Sequence, residues 1–140
     1  MQVRQIMTQS PACCGPDANL QEVAQMMVEH NCGEIPVIDG GDKRPIGVIT
    51  DRDITCRAVA QGKDTLQMKA RECMSSPVLT VTPQMSLEDC CRLMEEKQLR
   101  RVPVIDERGA CCGIVAQADI VLKAPDDQAN GLVKEISQPA

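Results

Sequence analysis

Two short motifs in this sequence combine residue types that could bind an anion together with a pair of hydroxyl groups. The first is Gly47-Val48-Ile49-Thr50-Asp51-Arg52-Asp53-Ile54, and a weaker copy is Gly113-Ile114-Val115-Ala116-Gln117-Ala118-Asp119-Ile120. Each motif is typical of a short apolar strand that turns directly into a helix. Such a junction directs backbone N–H groups and the positive end of a helix dipole toward one spot, which suits an anion. The Asp beside that spot is an acceptor-only group, well suited to two sugar hydroxyls.

The elements that must position these motifs occur twice. Matching residues lie 67 positions apart before the glycine junction and 66 positions apart at it, as in Arg4 and Arg71, Asn19 and Ser86, Pro36 and Pro103, and Gly47 and Gly113. Two copies of one unit therefore cover nearly everything from residue 3 to residue 122.

Each copy is predicted to contain strand, helix, strand, strand and helix, in that order. Apolar residues at helical spacing predict the first helix in each copy, with Asn19 and Ser86 as N-caps. We expect strands at 35–38, 46–50, 77–81, 102–105 and 113–116, and second helices at 51–61 and 117–124. The repeat-1 partner of the 77–81 strand, near Pro11, is hard to identify. An Asp39-Gly40-Gly41-Asp42 turn predicts a hairpin.

The predicted fold class is α/β (α+β), with two βαββα repeats packed about a pseudo-two-fold axis. We expect repeat 1 at 1–62, a linker at 63–70, repeat 2 at 71–124 and a polar tail at 125–140. About 60 residues with so few strands cannot cover both faces of a sheet, so the repeats need each other.

Composition excludes several classes of function. The 140 residues carry a formal net charge of −5 and include no Phe, Tyr or Trp, which argues against nucleic-acid binding,. No apolar run is long enough to span a membrane, and residues 1–10 do not resemble a signal peptide. We therefore expect a cytoplasmic protein whose partners include neither nucleic acid nor a membrane. A flat ring bound here would lie between aliphatic side chains.

The nine cysteines predict a reduced protein. Their number is odd, no C-x-x-C occurs, and His30 is the single histidine, so neither a disulfide framework nor a zinc site is expected,. The cysteines are interpreted as small core residues. No His–Cys or His–Ser constellation and no Walker-type loop is present, so we expect no catalytic residues, no metal ligands and no enzyme activity.

The order of these elements resembles the CBS domain, named after cystathionine beta-synthase. The residues that carry the resemblance are Ile35-Pro36-Val37-Ile38-Asp39 before the hairpin and the Gly47–Ile54 motif after it, both repeated at the right spacing. Two tandem copies form a CBS pair, or Bateman module. The resemblance implies a regulatory module that forms a disc-shaped homodimer and has no obligatory cofactor. It also implies binding of an adenosine nucleotide, with AMP the first candidate and ADP, ATP, S-adenosylmethionine or NAD as others. The regulated partner protein is unknown.

The resemblance also implies which residues bind the ligand, and each site draws on both repeats. In the family the Asp holds the ribose and the Thr assists it. The base lies between strands, near the residues just before the apolar-Pro pair, which is Ile35-Pro36 or Val102-Pro103 in this sequence. The first site would use Thr50, Arg52, Asp53, Val78, Leu79, Thr80, Arg101, Val102 and Pro103. The second would use Asp119, Thr8, Glu34, Ile35 and Pro36. Ala116 stands where the family has Thr or Ser, which puts the second site in doubt.

Other interpretations of the same residues stay open at this point. Thr50 and Asp53 also fit a plain capping box, and Arg52, Arg100 and Arg101 also fit a solvated charged face. Strand alternation would send at most one of the two adjacent arginines into a given cleft. The competing function is a ligand-free dimerisation scaffold for a partner protein. A third, thiol-based chemistry would need a cysteine of lowered pKa, for which Arg71 beside Cys73 is the nearest hint.

Overall fold

The computed structural model describes residues 1–123. The five strands are β1 (Thr8–Gln9), β2 (Glu34–Ile38), β3 (Pro45–Thr50), β4 (Arg101–Ile105) and β5 (Cys111–Ala116). The five α-helices are α1 (Leu20–His30), α2 (Asp51–Ile54), α3 (Ala70–Cys73), α4 (Leu87–Lys97) and α5 (Gln117–Lys123). The mixed α/β class is confirmed. The predicted end of the last helix at Ala124 and the predicted tail at 125–140 lie outside the described residues.

The two long helices begin and end in the same way. Asn19 Oδ1 accepts a hydrogen bond from the Glu22 N–H at 2.9 Å, and Ser86 Oγ accepts one from the Asp89 N–H at 3.1 Å. Both helices end at a residue in the left-handed conformation, Asn31 after α1 and Gln98 after α4. The predicted N-caps are therefore confirmed, and each helix buries one apolar stripe.

The predicted hairpin joins β2 to β3. The two strands are antiparallel, with Glu34 opposite Thr50 and Val37 opposite Gly47. In the second copy the sheet has the order β1-β5-β4, and Thr8 lies opposite Ile114. The four strands predicted at 35–38, 46–50, 102–105 and 113–116 are confirmed, each with one or two more residues at its start.

The strand predicted at 77–81 is wrong in its length. In the described chain this stretch is reduced to a parallel bridge between Val81 and Val104. Pro77 lacks a backbone N–H and cannot donate to a ladder. The matching bridge in repeat 1 joins Cys14 to Val37, so Cys14 is the partner that the sequence left hard to identify.

The described chain packs as two compact units. The repeat-1 unit contains Pro11–Val78 and Arg108–Cys111, and the repeat-2 unit contains Met1–Ser10, Leu79–Glu107 and residues 112–123. The predicted boundaries at 62/63 and 70/71 follow the sequence repeat and stay a prediction, because packing groups the residues differently.

Each unit has its own apolar core, and the two cores use equivalent positions. The repeat-1 core includes Leu20, Val23, Ile35, Val37 and Ile49, and the repeat-2 core includes Leu87, Cys90, Val102, Val104 and Val115. The opening segments are exchanged: Val3 and Ile6 are buried in the repeat-2 core, and Ala70 and Cys73 are buried in the repeat-1 core. Burial of these side chains fixes the segments that lead into Thr8 and Ser75.

Helix α2 continues into a single wider turn. Residues Thr55–Val59 are π-helical, and the Ala60 N–H donates to Thr55 O at 2.9 Å. The π-helical residues end at Val59, with Ala60 as C-cap, and Gly62 follows with a φ of 70°, a left-handed conformation that glycine adopts at no steric cost,. The predicted stop near Gly62 is confirmed, whereas the π turn was not predicted.

Candidate functional site

Two reciprocal hydrogen bonds between Thr50 and Asp53 close the β3–α2 junction of the repeat-1 unit. The Asp53 N–H donates to Thr50 Oγ1 at 3.0 Å, and the Thr50 N–H donates to Asp53 Oδ2 at 3.0 Å. Thr50 has extended backbone geometry and is the N-cap of α2,. The capping interpretation is confirmed, and it uses one of the two carboxylate oxygens of Asp53.

The other carboxylate oxygen of Asp53 faces Arg57, one helical turn further on. Asp53 Oδ1 lies 3.8 Å from Arg57 Nε, which is an ion-pair separation but longer than a hydrogen bond,. The Asp53 side chain is 16% exposed and the Arg57 side chain is 45% exposed. Oδ1 therefore keeps lone pairs that a ligand hydroxyl can use, in a position shielded from most of the solvent.

The guanidinium of Arg57 also reaches the end of helix α3. Arg57 Nη1 donates to the carbonyl of Cys73 at 2.9 Å and to that of Met74 at 3.2 Å. Carbonyls in the last turn of a helix have no intrahelical donor, so a cation is favourable there. One side chain thus links Asp53 to the segment at 73–74.

The β5–α5 junction of the repeat-2 unit keeps half of this arrangement. The Ala116 N–H donates to Asp119 Oδ2 at 2.9 Å, but Ala116 has no hydroxyl oxygen to accept a hydrogen bond from the Asp119 N–H. Lys123, four residues after Asp119, donates from Nζ to the carbonyl of Ile6 at 3.3 Å. Asp119 is therefore held in place by its backbone partner even without a reciprocal cap.

The first residues of α2 and α5 are hydrogen-bonded to the residues that precede β2 and β4, respectively. The Asp51 N–H donates to Gly33 O at 3.0 Å, and the Gln117 N–H donates to Arg100 O at 2.7 Å. These bonds place each helix start beside the first residue of β2 or β4. That residue is Glu34 in one unit and Arg101 in the other.

Glu34 and Arg101 give the two junctions opposite charge. Glu34 is 7% exposed and is the buried charged residue of β2, while Arg101 is half-buried at the start of β4. Arg52 is exposed at the start of α2, and Ala118 takes the matching position in α5. Guanidinium groups match phosphate oxygens, and such a group is supplied by Arg52 at the β3–α2 junction and by Arg101 beside the β5–α5 junction,.

A cavity of about 450 Å³ lies beside the β5–α5 junction, within the repeat-2 unit. Its lining is formed by Arg100, Arg101, Ala116, Gln117, Ala118, Val121 and Leu122. The expectation that alternation separates the two arginines does not hold for this cavity, because β4 begins at Arg101 and Arg100 lies outside the strand. Both arginines therefore line one space.

The structure divides each predicted set of site residues between the two units. Thr50, Arg52, Asp53 and Val78 belong to the repeat-1 unit, and Leu79, Thr80, Arg101, Val102 and Pro103 belong to the repeat-2 unit. In the second set, Thr8 and Asp119 belong to the repeat-2 unit, and Glu34, Ile35 and Pro36 belong to the repeat-1 unit. Within each unit the carboxylates lie at the junctions as predicted, and their assembly into two complete sites stays a prediction.

Sequence reasoning missed two cationic residues in the helical turn after these carboxylates, Arg57 and Lys123. They occupy matching positions, 66 residues apart, and each follows its Asp by four residues. The same repeat alignment that paired Asp53 with Asp119 contained this signal.

Most of the cysteines whose pKa is shifted have a raised pKa, and Cys13 is the exception among the described residues. Burial raises the pKa of Cys14 to about 11 and that of Cys90 to about 12. The pKa of the Cys73 thiol is also raised, by burial and by nearby Asp53, which contradicts a reactive Cys73. Arg71 instead bonds Asp17. A hydrogen bond from Cys111 lowers the pKa of Cys13. Across residues 1–123, no group of three or more candidate ligands could hold a metal ion.

Comparison with protein families decides which family this arrangement represents. Residues 3–58 and 70–126 each match the CBS domain. The chain belongs to the CBS-domain family. The two matched segments correspond to the two sequence repeats, so this CBS pair carries one β–α junction in each domain.

Known relatives are also CBS proteins. The CBS domain-containing protein YhcV of Bacillus subtilis is 39% identical over 129 residues, which are 92% of this chain and 89% of that protein. The crystal structure of hypoxic response protein I with two coordinated zinc ions has a TM-score of 0.80 and 36% identity, and the match covers 89% of this chain and all of that one.

A ligand-bound relative is similar in fold. The CBS domain pair of protein MJ0100, in complex with 5′-methylthioadenosine and S-adenosyl-L-methionine, has a TM-score of 0.78 and 27% identity. The match covers 87% of this chain and 94% of that one. In residues 1–123 of this CBS pair, no helix has the length and apolar character needed to cross a membrane.

Proposed function

We propose that this CBS pair is a non-catalytic regulatory module that binds an adenosine nucleotide, with AMP as the first candidate. Asp53 and Asp119 would each accept hydrogen bonds from the two ribose hydroxyls, and aliphatic side chains would enclose the adenine. The residue sets are those predicted from the sequence. Binding would shift the population of conformations that a partner protein recognises.

One observation carries the proposal. Asp53 is nearly buried, its Oδ2 is engaged by the Thr50 N–H, and its Oδ1 is beyond hydrogen-bond distance of Arg57. A shielded carboxylate with one engaged oxygen and one available oxygen is a fixed acceptor for a hydroxyl pair. The MJ0100 pair supports the ligand class, because both of its ligands contain adenosine.

The two sites are proposed to differ in strength. The residue set predicted for the first site includes a complete capping box, Arg52 and Arg101, whereas the set for the second includes the buried Glu34 and an Asp119 that follows Ala116. Phosphate groups are favoured by guanidinium and disfavoured by a carboxylate. AMP and ATP should therefore prefer the first site, and a ligand without a phosphate should tolerate the second.

The first experiment uses the absence of aromatic residues. Because the chain has no Phe, Tyr or Trp, the protein itself absorbs very little at 280 nm. An absorption band near 260 nm in the folded protein that passes into the filtrate after denaturation would identify a carried nucleotide. Calorimetric titration of stripped protein with AMP, ADP, ATP, S-adenosylmethionine and NAD would then order the candidates. Failure of all five to bind would contradict the proposal.

The competing function is a ligand-free homodimeric scaffold. It is favoured by two apolar side chains at the surface of α5, since Val121 is 47% exposed and Leu122 is 80% exposed. The Thr50–Asp53 box also serves the helix without any ligand. The scaffold predicts no nucleotide-dependent stabilisation, whereas a ligand at 100 times its dissociation constant should stabilise the fold by about 2.7 kcal/mol. Thermal unfolding with and without nucleotide separates the two functions.

Location in the cytoplasm also remains a proposal. Its support is the use of Cys14, Cys73, Cys90 and Cys91 as buried core residues in a chain with an odd number of cysteines,.

A further inference from the structure

Arg57 connects Asp53 to the segment 73–78, two parts of the repeat-1 unit that contain residues predicted for the first site. Its guanidinium lies 3.8 Å from Asp53 Oδ1 and donates to the carbonyls of Cys73 and Met74 at 2.9 and 3.2 Å. Asp53 is the proposed ribose acceptor. The segment that begins at Cys73 continues to Val78, another residue predicted for the same site. A single side chain thus relates the carboxylate to that segment.

The second copy repeats the connection with a different cation. Lys123 is the counterpart of Arg57, and its Nζ donates to the carbonyl of Ile6, which is the counterpart of Cys73. The segment after Ile6 leads to Thr8, a residue predicted for the second site. Recurrence of a cation-to-carbonyl bond at matching positions, in two units of different sequence, indicates a role common to both units.

The segments that these cations hold are also fixed by backbone contacts. In the repeat-1 unit, Val48 and Ser75 exchange two hydrogen bonds of 3.1 and 2.9 Å. Gly47 allows this approach, because a Cβ there would lie 2.5 Å from Met74 Sδ and 3.0 Å from Ser75 O. The strand beside the junction, the segment and the cation therefore form one continuous set of contacts that ends at Asp53.

We propose that Arg57 is a positioning residue that holds the ribose-binding carboxylate of Asp53 and the adjoining 73–78 segment at a fixed separation, and that Lys123 holds the corresponding segment that leads to Thr8. This inference rests on the proposed nucleotide-binding function. Arg57 performs both parts of the task, because a planar guanidinium presents several donors and here meets the carboxylate and two carbonyls. Lys123 has a single ammonium centre and is bonded to the carbonyl. The first site is therefore better organised than the second before any ligand arrives.

The test compares AMP with 2′-deoxy-AMP. Asp53 is proposed to bind both ribose hydroxyls, so the ratio of the two dissociation constants reports how well its carboxylate is aimed. A residue that only stabilised the fold would weaken both ligands equally and leave that ratio unchanged. Calorimetry on the full chain, well below the melting temperature of every variant, measures the ratio.

Three variants complete the experiment. Arg57→Gln should weaken AMP binding about tenfold and bring the ratio of dissociation constants close to 1. A hydrogen bond from a ribose hydroxyl to the charged Asp53 carboxylate is worth about that much. Arg57→Lys, which copies Lys123 and protects against misfolding, should give an intermediate ratio. Arg92→Gln is the matched control, because Arg92 is also a helical arginine in an i, i+4 ion pair, with Glu88 at 3.5 Å. Arg92→Gln should leave the dissociation constants of both AMP and 2′-deoxy-AMP unchanged.

Each outcome decides a specific point. AMP binding by the natural chain with an unchanged ratio in both Arg57 variants would overturn the positioning role and leave the proposed function standing. Absence of binding by the natural chain to either nucleotide would overturn the proposed function, and this inference with it.

Discussion

Asp119 accepts a hydrogen bond from the backbone N–H of Ala116 at 2.9 Å, although Ala116 has no hydroxyl with which to complete the box. In the other unit the Thr50 N–H donates to Asp53 Oδ2, and Thr50 Oγ1 also accepts a hydrogen bond from the Asp53 N–H, both at 3.0 Å. The acidic residue therefore keeps its position in both units whether or not the cap is complete. One carboxylate oxygen orders the helix start, and in the proposed function the other would accept a ligand hydroxyl.

Completing the second box should stabilise the protein. Ala116→Thr supplies the missing acceptor for the Asp119 N–H, and Thr50→Ala removes the one that exists, so the two changes should act in opposite directions by about 1 kcal/mol each. Urea unfolding measures both. Equal stabilities for the three proteins would show that the boxes do not support the helix starts. Ser86→Ala, which removes the cap of α4, gives the scale of an ordinary cap.

Adding a methyl group at Gly47 or Gly113 should destabilise the fold. A Cβ at Gly47 would lie 2.5 Å from Met74 Sδ and 3.0 Å from Ser75 O, and one at Gly113 would lie 2.7 Å from Met7 Sδ and 3.1 Å from Thr8 O. The sulfur can move, but the carbonyl belongs to a paired backbone, so alanine should cost about 1–3 kcal/mol at either site. Thermal unfolding checks this value.

A matched control for the glycine test is Gly15→Ala. No atom lies within 4 Å of a Cβ at Gly15, so this variant should unfold like the natural chain. If Gly47→Ala and Gly15→Ala are equally stable, the close approach of the 73–75 segment to β3 is not needed.

The buried thiols should make stability fall in alkaline solution. Burial raises the pKa of Cys90 from 9.0 to about 12, and that of Cys91 to about 11. Well below pH 9 the thiols are neutral in both the folded and the unfolded protein, so their contribution to the free energy of unfolding is fully present. Between pH 9 and about 12 the unfolded chain ionises first, so the free energy of unfolding decreases as pH rises. Urea unfolding at pH 8, 9 and 10 measures the slope.

The chain offers its own control for the thiol prediction. Val23 occupies the position in the repeat-1 core that Cys90 occupies in the repeat-2 core. Cys90→Val should therefore fold normally at pH 8 and show a shallower alkaline slope, while replacement of the exposed Cys56 with Ser should leave the slope unchanged. An identical slope in the Cys90 variant would contradict the assignment.

Much of this fold could be predicted from local patterns. The caps at Asn19 and Ser86, the hairpin and the strand-to-helix junctions each depend on residues within a few positions of one another, and all are present. The repeat made these predictions stronger, because each pattern occurred twice. Membership of the CBS family rests on the same motifs.

The remaining features depend on contacts between distant residues. Val3 and Ile6 have the same spacing as Ala70 and Cys73, and all four are small or apolar residues. Local sequence therefore does not indicate in which core each pair is buried, and the exchange of opening segments could not be predicted. The bond from Arg57 to Cys73 joins a side chain to a carbonyl sixteen residues away and follows no periodicity. The strand at 77–81 was predicted from β-propensity, and Pro77 and the lack of a longer partner limited it to one bridge.

Calorimetric titration of AMP into the natural chain and into Asp53→Ala tests the central claim most directly. Asp89→Ala serves as the control, because it removes an acidic residue from the same position in the first turn of α4. We expect the natural chain and the Asp89 variant to bind AMP alike, and Asp53→Ala to bind at least about tenfold more weakly, since a largely shielded acceptor of two hydroxyls is lost. Equal AMP affinity in the natural chain and Asp53→Ala would contradict it.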